Sequence, residues 1–398
     1  MSKPIRALHS VGSLNRGGIE TWLMNVLRQR HPELELDFIL HAQPGESGDY
    51  EREALAVGCA IYYYPPASRF TKRLRMLGLA SSPPTLRNVL RSGCYDVLHV
   101  HGTEFNGDTV KEAHLAGTPV RVAHCHSTRI ARGKGGPEML LRWGRYLTID
   151  RARLLRHATD IVACGRDAGR LMVGNRWNHD SRCQVIYCGI DMLAFEHAVK
   201  TGSRAELLLR YQLPQDAIVI GHAGSMGPSP VKNHEHLVHV FAELAKRDPR
   251  YYLFMAGDGP FKSDIAKQVI SLGLSGRVRM PGLVSDVPGH MCHLFDVHVL
   301  PSLFEGLPVV AIEAAAAGLY SVLSDAITDE LSEHLPGRIE RLSLKAPLSQ
   351  WADRVAAAVE LRESPVAGLV RVRASPFSVN KSAEALVAMY RRRLEAVR

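Results

Sequence analysis

The chain has 398 residues, 46% of them hydrophobic and 22% charged, with a formal net charge of +9. That length exceeds one ordinary core and suits two globular domains, and no apolar stretch nears the 20 residues a spanning helix needs. Seven cysteines without a C-x-x-C pair argue against a disulfide or zinc framework and fit a reducing compartment.

Apolar runs alternate with amphipathic stretches, the pattern of parallel α/β units. Residues 1–6 lead straight into a strand without a secretory apolar region, which predicts a cytoplasmic chain. Strands are expected at 5–10, 36–41, 60–64, 97–101, 120–124, 161–164 and 185–187. A second series is expected at 217–223, 251–256, 278–280, 297–300 and 320–324. Ile19, Trp22, Leu23, Val26 and Leu27 share one face of a helix over 19–30. The alternation restarts after a polar break, placing a hinge near 188–191. The expected domains are 1–188, joined by an amphipathic helix at 379–398, and 189–378.

The first strand is followed by Gly12-Ser13-Leu14-Asn15-Arg16-Gly17-Gly18. Its glycines are not spaced as in the dinucleotide fingerprint. Gly17 and Gly18 allow backbone N–H groups to approach an anion closely. Further on, Arg69, Lys72, Arg73 and Arg75 interleave with Phe70, Leu74, Met76, Leu77 and Leu79. That pattern suits either an anionic membrane surface or an ordinary basic loop. Through residue 195 the chain carries 26 Lys and Arg against 18 Asp and Glu, and beyond it 23 against 22. The basic excess therefore belongs to the first half. No nucleic-acid motif accompanies it, and anionic lipid or diphosphate accounts for it equally well.

His99 and His101 form one H-x-H pair and His124 and His126 another, each on one face of a strand. No carboxylate or cysteine set nearby completes a zinc pattern, so no metal is expected. Arg129, Arg132 and Lys134 follow in a glycine-rich loop that is either solvated or turned to a charged acceptor.

The second series opens with Gly221-His222-Ala223-Gly224-Ser225-Met226-Gly227, then Lys232. A glycine loop after a strand plus a lysine is one way α/β folds hold diphosphate, although such loops are routine. Gly257-Asp258-Gly259-Pro260 and a segment around Val284 follow. Last comes Glu305-Gly306-Leu307-Pro308, with Glu313 eight residues after Glu305. The segment reads as strand, turn and helix start, with Pro308 opening the helix. Free N–H groups there make an anion cradle between two acids that can accept from hydroxyls. Solvated acids near a helix N-terminus would look the same.

The Glu305–Glu313 spacing with Glu-Gly-Leu-Pro at its front resembles the signature of retaining glycosyltransferases of family 4, and the likeness extends over most of the chain. It is nearest to the bacterial exopolysaccharide and capsule branch. The resemblance implies the GT-B fold: two Rossmann-like, doubly wound parallel-sheet domains facing across a cleft, with a C-terminal helix crossing back to the first. It implies transfer of a sugar from a UDP- or GDP-linked donor to a hydroxyl of a glycan or polyprenyl-diphosphate-linked acceptor. Surface polysaccharide synthesis at the inner face of the plasma membrane would follow. No obligatory metal or other cofactor is implied.

Residue by residue, the resemblance places Lys232 on the donor diphosphate and Glu305 near the sugar. It places Glu313 on the ribose, and Gly306, Leu307 and Pro308 around phosphate and sugar. Gly17, Gly18 and Gly224 would lie near the phosphates, Asp258 beside the nucleotide and the Val284 backbone near the base. His126 would lie at the reacting centre, with Arg16, His101 and Arg129 on the acceptor side. Ser225 departs from the family, which usually has Arg there, and Arg16 is the candidate to replace that charge. Cys188 replaces the usual Asn before the hinge glycine. A sugar-nucleotide epimerase of GT-B-like fold and a non-catalytic sugar-nucleotide binding protein are the alternatives.

Overall fold

The computed structural model describes residues 3–42, 48–64, 84–102, 106–128, 137–227 and 230–397. Arg129, Arg132, Lys134 and the basic stretch 69–79 lie outside them. The chain divides into two compact units, Met1–Gly189 with Val379–Arg398, and Ile190–Ser378.

The first unit carries β1 (Ile5–Val11), β2 (Leu34–Leu40), β3 (Ile61–Tyr63), β4 (Val97–His101), β5 (Val120–Cys125), β6 (Asp160–Ala163) and β7 (Cys183–Val185). They form one sheet in the order β3-β2-β1-β4-β5-β6-β7, with every pairing parallel. The chain reverses its direction of winding between β1 and β4. Such a reversal opens a crevice at the carboxyl ends of the strands, where ligands of open α/β sheets bind. Burial of Ala7, Leu8, Phe38, Leu40, Val97, Leu98 and Val122 explains the apolar runs. The strand expected at 185–187 is instead β7, two residues earlier, where Cys183 pairs with Ile161.

The helix Val379–Val397 belongs to this unit. It packs against the helix Gly18–Arg28 and against β1 and β5. Its buried face presents Ala383, Leu386, Val387, Met389 and Tyr390, and Trp22 Nε1 donates to Ser382 Oγ at 2.7 Å.

The second unit repeats the plan with β8 (Ile218–Ala223), β9 (Tyr251–Ala256), β10 (Val278–Gly282), β11 (Val297–Leu300), β12 (Ser321–Ser324) and β13 (Ile339–Leu342). Their order is β10-β9-β8-β11-β12-β13, so its reversal lies between β8 and β11. Leu237, Val238, Phe241 and Leu244 of the helix His234–Arg247 pack on Ile220, Leu253 and Met255, with Trp351 filling the same core. β13 was not expected from the sequence. It is an edge strand whose central Glu340 and Arg341 are half-buried, so no apolar run marks it.

Candidate active site

Both switch points carry the residues singled out above. In the second unit β8 runs into Gly224, whose N–H donates to the Ala256 carbonyl at 2.9 Å. The next turn closes on this loop. Gly257 has φ +144°, and a Cβ there would lie 2.0 Å from the Gly224 oxygen. Gly259 has φ +150°, and its Cβ would lie 2.2 Å from the Met226 oxygen. Only glycine fits either position. Asp258, between them, accepts from the Gly259 N–H at 2.8 Å and from Lys262 Nζ at 3.3 Å. These bonds hold its carboxyl below its ordinary range, the Gly259 N–H first and Lys262 second. Its observed bonds are those of a turn. Ser225 is exposed at the loop surface, and Val284 is half-buried in the loop after β10.

Lys232 follows this loop. Its Nζ donates to Glu305 Oε1 at 2.7 Å, and Ser302 Oγ donates to the same oxygen at 2.9 Å. Glu305 lies five residues past the end of β11 rather than at the strand end, in the loop leading to the helix Val309–Ala316. Pro308 is the cap before that helix rather than its first residue. Gly306, Leu307 and Pro308 are buried, which fixes the loop's path. Glu313 stands on the helix, its backbone carbonyl accepting from the Ala317 N–H at 3.0 Å and its carboxyl without a hydrogen-bond partner among the described residues. Burial pushes its carboxyl up to about 7, opposed by the nearby Lys232 charge. One ammonium therefore serves two carboxylates, bonding one and acting on the other through space.

His222 completes this corner and was missed from sequence. Its Nδ1 donates to the Val299 carbonyl at 2.9 Å. In the neutral ring Nε2 then holds a lone pair, buried and without a partner. A Cβ on Gly224 would lie 3.2 Å from that nitrogen and 3.2 Å from Lys232 Cγ. The available signal was strand alternation, which puts His222 on the same face as Ile218 and Ile220.

In the first unit Gly17 caps the helix Gly18–Arg28. A Cβ on Gly17 would strike the Glu20 carboxylate at 2.2 Å, whereas one on Gly18 would meet nothing within 4 Å. Burial raises the Glu20 carboxyl, opposed by its own backbone N–H. Arg16 pairs with Asp49 at 3.2 Å, both side chains being more than half exposed.

Sequence spacing placed two histidines on each of two strands; folding brings them together and adds His9 from β1. His9 Nδ1 meets His101 Nε2 at 2.9 Å, His101 Nδ1 meets His126 Nε2 at 3.0 Å, and His99 Nε2 meets His124 Nδ1 at 3.0 Å. The centroid separations of these pairs, 5.1, 5.2 and 5.1 Å, fit rings joined edge to edge. The rows lie face to face, with His99 over His101 at 4.3 Å and His124 over His126 at 3.9 Å. Trp22 packs edge-on against His101 and His124. Burial holds all five imidazoles neutral, with His9 and His126 each lowered to about 3. His9, His99 and His101, or His101, His124 and His126, each offer nitrogens within 4.8 Å of one another, close enough to hold a metal ion. Most of those nitrogens already meet a neighbouring imidazole or Tyr390 at hydrogen-bond distance, and no carboxylate joins either set.

Glycosyltransferase Family 4 is the family description matching residues 16–192, and "Glycosyl transferases group 1" matches 217–360. The chain is 33% identical over 359 residues to the putative glycosyltransferase EpsF of Bacillus subtilis, covering 89% of this chain and 87% of that protein. It is 26% identical over 249 residues to the UDP-Gal:alpha-D-GlcNAc-diphosphoundecaprenol alpha-1,3-galactosyltransferase of Escherichia coli, covering 61% and 60%. Among solved structures, Anabaena Alr3699/HepE in complex with UDP superposes with a TM-score of 0.72 at 16% identity, over 97% of this chain and 99% of that one. A glycosyltransferase from Rickettsia africae superposes at 0.73 and 13% identity, over 99% of each. Two doubly wound parallel-sheet units, matched along nearly their whole length by these structures, define the GT-B fold class. With a relative of 33% identity along most of its length, the chain belongs to glycosyltransferase family 4.

Proposed function

We propose that the protein is a retaining transferase moving a sugar from a UDP-linked donor to a hydroxyl of a polyprenyl-diphosphate-linked glycan, in the cytoplasm at the membrane's inner face. The observation that carries this reading is the Lys232–Glu305 pair at 2.7 Å beside Glu313, set where β8 and β11 diverge. Lys232 would leave Glu305 for the diphosphate and neutralise the departing charge, with no obligatory metal. Glu305, released, would accept from sugar hydroxyls near the anomeric carbon, and Glu313 from the ribose hydroxyls. Gly224, Ser225, Gly306, Leu307 and Pro308 would shape the donor pocket, and Gly17 and Gly18 would present N–H groups. His126 would stand at the reacting centre, with His101, Arg16 and Arg129 toward the acceptor. Retention requires attack on the face the diphosphate leaves, so positioning and charge stabilisation would supply most of the rate.

The names of the Escherichia coli and Anabaena proteins support uridine and a lipid-linked acceptor. The basic, apolar stretch 69–79 would supply the contact with anionic lipid. No helix among the described residues is long and apolar enough to cross a membrane. Charge reversal of Arg69, Lys72, Arg73 and Arg75 should abolish sedimentation with anionic vesicles, and unchanged sedimentation would remove that contact.

A calorimetric screen of UDP- and GDP-sugars, followed by mass spectrometry and NMR of the product's anomeric centre, tests the reading. An axial donor giving an axial product supports retention, and an inverted product overturns it. An epimerised free sugar made without acceptor would mark an epimerase. Binding without turnover across acceptors would mark a non-catalytic binder.

A further inference from the structure

The two histidine rows form one continuous path. Tyr390 Oη lies 2.5 Å from His99 Nδ1 and 3.5 Å from His9 Nε2, joining the rows at one end. At the other end His126 Nδ1 faces Cys188 Sγ at 3.6 Å, while His124 Nε2 is buried with no partner. The order is Cys188, His126, His101, His9, Tyr390, His99, His124, folded like a hairpin. Each neutral imidazole has one N–H and one lone pair. Every ring inside a row must therefore donate on one side and accept on the other, so each row has two directions, and the phenol, with one proton, can donate to only one of the two rows.

The phenol selects between them. Burial keeps Tyr390 protonated, with Asp160 acting in the same sense. Its single proton belongs on the nearer nitrogen, His99 Nδ1. His99 then donates from Nε2 to His124 Nδ1. On the other row the phenol oxygen accepts from His9 Nε2–H. His9 Nδ1 accepts from His101 Nε2–H, and His101 Nδ1 accepts from His126 Nε2–H. His126 is left with its lone pair on Nδ1, opposed only by a weak S–H donor.

We propose that Tyr390, on the helix Val379–Val397, is a positioning residue that fixes His126 as its Nε2–H tautomer through His9 and His101 and leaves the Nδ1 lone pair facing Cys188 Sγ. The consequence for catalysis rests on the reading of His126 given above, but the tautomer itself does not.

The experiment uses the full chain labelled with 15N-histidine. The His126 signals are assigned by their loss in His126→Gln, and ring nitrogen shifts distinguish the two tautomers. The wild type should show His126 protonated at Nε2 alone, and Tyr390→Phe should give a mixed or inverted population. Turnover of the sugar nucleotide identified by the donor screen should fall roughly ten-fold in that variant, a part of what a general acid–base group supplies, with KM unchanged. Nδ1–H at His126 in the wild type overturns the proposal even if Tyr390→Phe fails to fold. So does an unmoved tautomer in a folded Tyr390→Phe. A shifted tautomer with unchanged kcat upholds the positioning role and removes His126 from the chemistry.

Discussion

At the switch point of the first sheet the polar groups are neutral. Five imidazoles and a phenol are joined by hydrogen bonds, with His124 Nε2 left without a partner, and burial keeps charge out. At the switch point of the second sheet Lys232 and Glu305 form an ion pair, and Glu313, whose carboxyl burial raises to about 7, shares the corner. Both places come from the same parallel winding. The difference shows what each can do. A neutral hydrogen-bonded array holds atoms at fixed angles and responds little to salt. A partly buried ion pair can exchange one partner for an incoming anion, since removing either charge alone would leave the other unsatisfied.

The contrast breaks most sharply at Lys232. Lys232→Ala should lower kcat/KM by roughly 10²–10³, the range for losing one stabiliser of developing charge. A coupled assay of nucleotide release would measure it, and a change under two-fold would return the lysine to a structural role. Next in size is Gly257→Ala. A side chain cannot occupy φ +144° with the Gly224 oxygen 2.0 Å from its Cβ. The variant should lose about 2 kcal/mol or more in urea titration, together with donor binding.

Glu313→Gln should move two quantities in opposite directions. The native carboxyl near 7, against an ordinary 4.5, keeps a proton that the unfolded chain has released. Stability therefore falls as pH rises through that window and levels off above it. The variant should match the wild type near pH 4 and exceed it by on the order of 1–3 kcal/mol near pH 8. Calorimetry should show nucleotide affinity weakened by roughly 1–3 kcal/mol. Equal stability at both pH values would mean that burial does not govern this acid. The smallest effect belongs to Gly18→Ala. With nothing within 4 Å of its Cβ, stability should shift by less than about 1 kcal/mol. Lost activity at unchanged stability would mark the space above it as ligand space.

The alternating strands were legible because buried parallel strands are mostly apolar, as at Tyr251–Ala256. β13 was not, because its exposed edge tolerates Glu340 and Arg341. Lys232 and Glu305 could be picked out by motif, but their direct pairing could not, since it depends on how two loops 73 residues apart meet. The histidines were visible as H-x-H pairs. Their union with His9 and Tyr390 was not, because strand order rather than spacing puts β1 beside β4 and lays the distant helix against both β1 and β5.

That distant helix bears on how the protein is made. Trp22 and Ser382, bonded at 2.7 Å, are separated by 360 positions. A ribosome must therefore deliver the whole of Ile190–Ser378 before the opening unit can close its core. The middle of the nascent polypeptide can reach its final form first, while the earlier part waits with an uncovered apolar face and with its five imidazoles lacking the Tyr390 phenol. Synthesis stalled before residue 379 would leave a species suited to chaperone capture.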